Sequence, residues 1–133
     1  MQTRASRSLS RLGRLVWLAV LAGPAAWALQ FLFAMQFSLA RCESPDARFQ
    51  FPVHAIAAAL GGAGFIVGVA AELLALAVFR ATRADPGTQE PDDIATGRIH
   101  FLSAVALTVN PFPAVICAMV AIGHPLLTLC RQS

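Results

Sequence analysis

Few side chains in this sequence can do chemistry, and they fall into two sets. The first is Glu72, a carboxyl inside the apolar run 51–78, with Gln30 and Asn110 as further polar groups deep in apolar stretches. An acid within a membrane span marks an ion pathway, a proton relay or a contact with a partner. The plainer alternative is a protonated or hydrogen-bonded acid two turns from the helix end and reaching toward the interface, with Arg80 about 12 Å further along, a little far for direct pairing. The second set is Cys42, His54, His124 and Cys130, with Glu43 and Asp46 nearby. Two imidazoles and two thiolates suit copper or zinc, although the spacing matches no compact ligand motif. A Cys42–Cys130 disulfide is the competing use of the thiols, because a bonded pair cannot also hold a metal. Haem ligation would need histidines facing each other at one depth, whereas His54 and His124 both fall at span ends. Cys117 lies inside a span and reads as a small apolar residue. There is no nucleophile elbow, phosphate loop or H-E-x-x-H, and Gly61-Gly62-Ala63-Gly64 follows no strand. The chain therefore reads as a non-enzyme.

Hydrophobicity sets the elements that must carry these groups. The chain has 133 residues, of which 57% are apolar, and its mean hydropathy is +0.66. Residues 15–40 and 49–71 contain no charge. A membrane span needs roughly 20 apolar residues, more than a soluble core helix uses. The expected architecture is all-α, with a basic segment at 1–14 and three transmembrane helices at about 15–40, 52–79 and 98–122. Gly23-Pro24 is expected to kink the first span, since Pro24 lacks a backbone donor. Asn110-Pro111-Phe112-Pro113 should bend or break the third. Gly23, Trp27, Gln30 and Ala34 share a face that should turn toward protein. Gly61, Gly64, Gly68 and Glu72, three or four residues apart, stack along one face of the second span as a helix-packing surface.

The net charge of +3 arises from ten arginines and no lysine. They cluster at span ends, which argues for topology and against nucleic acid. One side collects Arg4, Arg7, Arg11, Arg14, Arg80, Arg83 and Arg98; the other collects Arg41, Arg48 and Arg131. The positive-inside rule then places the N-terminus in the cytoplasm and the C-terminus outside. Cys42 and Cys130 fall on the outer side, where a periplasm is oxidising. Residues 1–14 also have the composition of a transit or signal segment, but the apolar run continues past the small-x-small site Ala26-Trp27-Ala28, so an uncleaved anchor is expected.

Gly23-Pro24-Ala25-Ala26-Trp27, followed by Cys42, Gly97-Arg98, Pro125 and Cys130, resembles a small uncharacterised family of bacterial inner-membrane proteins often encoded beside haem-copper cytochrome oxidase genes. Gln30 stands where that family has histidine and Met35 where it has tyrosine. The resemblance implies a role in respiratory oxidase assembly or operation. The expected function is thus a non-catalytic accessory protein of the bacterial inner membrane, contacting lipid and a larger membrane complex, cytochrome oxidase foremost. Two other readings stand beside it. One is a periplasmic-face copper or haem handler using His54 and His124; the other is a homo-oligomeric transporter or channel lined by Glu72, Gln30 and Asn110.

Overall fold

The computed structural model describes residues 2–43, 52–83 and 93–126. They form helices α1 (Gln2–Glu43), α2 (Val53–Ala81), α3 (Asp93–Val109) and α4 (Pro111–Gly123). Three stretches are long and apolar enough to cross a membrane: Ser10–Phe37, Val53–Ala81 and Thr96–Gly123, with hydropathies of 1.8, 2.1 and 2.0. The third combines α3 and α4, joined at Asn110.

That junction has a local cause. Pro111 and Pro113 cannot donate, so the carbonyls of Leu107 and Val109 have no N–H one turn ahead. Asn110 itself keeps helical dihedrals (φ −63°, ψ −30°). Its N–H still reaches the Ala106 carbonyl at 3.0 Å, and the Ala114 N–H reaches the Asn110 carbonyl at 3.2 Å. The third span therefore loses hydrogen bonds at its centre and divides there into α3 and α4. Pro24 removes a donor from α1 in the same manner, yet α1 is one helix through that position. Pro24 does not end the helix: a single missing bond is absorbed because the turns on both sides keep theirs.

Successive spans pack antiparallel along narrow seams, so α1 and the third span run parallel. On α2 the buried residues Ala57, Gly61, Gly64, Gly68, Ala71, Ala75 and Val78 alternate four- and three-residue steps. Val16, Ala19, Gly23 and Gln30 on α1, and Ile99, Ser103, Ala106, Asn110, Pro113 and Cys117 on α3 and α4, are buried in the same register. A repeat of 3.5 residues is the signature of left-handed supercoiling, and small residues on such a seam let backbones approach in a bilayer. Successive layers confirm the register. Val16, Val78 and Ile99 form one buried cluster, and Ala19, Ala75 and Ala106 form the next. The large apolar side chains, including Leu18, Phe33, Ile66, Leu73, Phe112 and Met119, point outward.

Candidate functional site: polar groups within the helical bundle

The glycine ladder of α2 is occupied from within the chain. A Cβ on Gly61 would lie 2.8 Å from the Ala121 backbone nitrogen and 2.9 Å from the Cys117 carbonyl oxygen. At Gly64 it would meet Cys117 Sγ at 2.9 Å, and at Gly68 the Ala114 Cβ at 2.9 Å. All three glycines seat α4, so the expected packing role has a specific partner helix. Glu72 departs from that stripe. The seam continues through Ala71 and Ala75, leaving Glu72 half-buried at its edge.

Gln30 and Asn110 are 4% and 0% exposed. Gln30 Oε1 would sit 3.9 Å from a Cβ on Gly64, which places it beside Cys117. Asn110 reaches across to α1: its Nδ2 donates to the Ala19 carbonyl at 2.8 Å. Its Oδ1 lies against Gly23, where an added Cβ would come within 2.7 Å. Gly23 is thus small because Asn110 occupies the space. Of the face expected to turn inward on α1, Gly23 and Gln30 are buried and Ala34 partly so, whereas Trp27 is 36% exposed. Trp27 lies at the rim because the 3.5-residue seam passes through its neighbour Ala26.

Glu72 lines a groove of ≈ 200 Å³ between α2 and α4, together with Gly68, Leu73, Asn110, Pro111 and Ala114. Among the described residues, Glu72 Oε2, Gln30 Oε1 and Asn110 Oδ1 are buried acceptors with no donor facing them. The structure therefore brings Glu72 and Asn110 to one level of the bundle and places Gln30 toward the His54–His124 end.

At that end, His54 Nδ1–H donates to the His124 carbonyl at 2.6 Å. This joins the start of α2 to the end of α4. The His124 side chain lines a groove of ≈ 340 Å³ with Gln30, Phe31, Ala34, Met35 and Val120. The side chain of Cys42 and the whole of Cys130 lie outside the described residues, and with them the disulfide. Among the described residues, no three His, Cys, Asp or Glu side chains gather as a metal site.

The opposite end holds a clamp that the sequence did not single out. Thr82 donates its hydroxyl proton to the Val78 carbonyl at 2.9 Å, so its oxygen accepts from His100 Nδ1–H at 3.0 Å. The His100 ring stacks on Phe79 with centroids 4.3 Å apart, and Ser103 caps the turn by donating to the His100 carbonyl at 2.7 Å. Nothing in the spacing of Thr82, the C-cap of α2, and His100 on α3 could have paired them. Thr82→Val keeps the shape but leaves His100 without its acceptor, and should cost about 1–3 kcal/mol; denaturation of the two proteins in one detergent measures it.

Comparison with the profiles of known families, with curated proteins and with solved structures finds no match.

Proposed function

We propose that this protein is a non-catalytic accessory or assembly-type membrane protein that binds a larger membrane complex through helix–helix contact. The observation carrying this reading is Trp27. Tryptophan ordinarily sits at the membrane–water interface, whereas Trp27 lies near the middle of Ser10–Phe37. It opens onto an apolar groove of ≈ 300 Å³ lined also by Pro24, Thr108, Phe112, Pro113 and Ile116. Lipid tails offer nothing to an indole N–H, while a partner helix laid in the groove supplies both packing and an acceptor. The glycine ladder is already filled by α4, so Trp27 replaces it as the candidate docking feature.

The resemblance stated above makes a respiratory oxidase the first partner to test. It also supports a bacterial inner-membrane location, with the N-terminus in the cytoplasm as the arginine distribution favours. The experiment is affinity purification from native membranes in mild detergent. The wild type should recover a larger membrane complex. Trp27→Ala should lower that recovery at least about tenfold, the effect of losing an interface hot spot, while Leu18→Ala on another outward face leaves it unchanged. Wild-type protein that purifies alone defeats the proposal.

A further inference from the structure

Glu72 plays no part in the docking just described, and its surroundings point to a ligand of its own. Ala75 packs in the layer of Ala19 and Ala106, and Gly68 touches Ala114. Glu72 lies between those two contacts and is level with Asn110 and the Pro111 break. Among the described residues, the arginine and histidine side chains of the packed helices lie toward the two ends of the bundle, with His54 and His124 at one and the others at the opposite one. Arg11 and Arg14 on α1, Arg80 on α2, and Arg98 and His100 on α3 lie at or beyond the layer of Val16, Val78 and Ile99. No cationic side chain of α4 faces the groove. An ionised carboxyl would thus stand in hydrocarbon without a counter-charge, a costly arrangement.

Acceptors are also in excess beside Glu72. Its Oε2 is buried without a donor, and Pro111, which lines the same groove, leaves the Leu107 carbonyl without its N–H. One proton corrects the imbalance. A neutral Glu72 carries no charge to solvate and gains an O–H to donate. We propose that Glu72 is an intramembrane proton-binding site, held as the neutral acid beside the Pro111 break with the Leu107 carbonyl accepting its hydrogen bond. The ligand is a proton taken up from water, and a monovalent cation bound to the carboxylate is the competing outcome. The inference is independent of partner binding.

Infrared spectroscopy of the purified protein in lipid bilayers at neutral pH tests it. The wild type should show a protonated-carboxyl C=O band that Glu72→Gln abolishes. Pro111→Ala, which returns an N–H to the Leu107 carbonyl, should shift that band to higher frequency as the acid loses its acceptor. Glu72→Asp serves as a second variant should the glutamine form fail to fold, and should move the band without abolishing it. A carboxylate signature at Glu72, with or without dependence on sodium or potassium, overturns the proposal. A band unmoved by Pro111→Ala overturns the assignment of Leu107.

Discussion

Gly61→Ala should destabilise the bundle more than the same change at Gly64 or Gly68. At Gly61 the new methyl would meet main chain, 2.8 Å from Ala121 N and 2.9 Å from Cys117 O. Neither atom can rotate aside, so α4 itself must move away from α2. Overpacking of this kind costs about 1–3 kcal/mol, and the rigid obstacle puts Gly61 at the upper end. At Gly68 the obstacle is the Ala114 Cβ at 2.9 Å, which Ala114→Gly removes. The double variant Gly68→Ala with Ala114→Gly should therefore recover stability lost by Gly68→Ala alone. No trimming of a side chain should rescue Gly61→Ala. Unfolding in mixed micelles would rank the variants, and a neutral Gly61→Ala would contradict the close approach of α2 and α4.

Asn110→Leu is expected to be the other severe change. It removes the hydrogen bond to the Ala19 carbonyl, a type of contact worth about 0.6 kcal/mol on average within membranes and up to about 1.7. It also drives a branched methyl pair toward Gly23, where the present Oδ1 leaves a Cβ only 2.7 Å. With about 1–3 kcal/mol for overpacking, the sum is roughly 2–4 kcal/mol. Asn110→Ala removes the bond without the clash and should cost less. If leucine were no worse than alanine in the same unfolding assay, the Asn110 side chain would not fill the space against Gly23.

Much of the architecture was legible because membranes impose length and hydropathy on a span. The break at Asn110-Pro111 was legible because proline chemistry is local. The detail that escaped was the repeat. Gly61, Gly64, Gly68 and Glu72 fit a nearly straight helix of 3.6 residues per turn, which puts the acid in line with the glycines. The helices instead follow 3.5, and the seam steps to Ala71 and Ala75. Only the three helices together impose that difference, which decides whether Glu72 faces its neighbours or a groove. The pairing of Asn110 with Gly23, and of Thr82 with His100, was hidden for a related reason. Each is a contact between helices whose relative height depends on the loops and the packing, not on any local pattern. The inward position of Gln30 was readable, since an amide in lipid is costly, but its place beside Gly64 and Cys117 was not.

The meeting of Gly23 with Asn110 has a mechanical consequence. It puts Pro24 of α1 and Pro111 and Pro113 of the third span at nearly one height, so two of the three rods lack main-chain bonds in the same plane. α2 contains no proline and keeps its ladder through that plane. Stiffness along the molecule is therefore uneven, with a compliant waist at mid-membrane and one continuous rail beside it. Flexure concentrated there would tilt the end holding His54 and His124 against the end holding Thr82 and His100, with the Glu72 groove at the hinge.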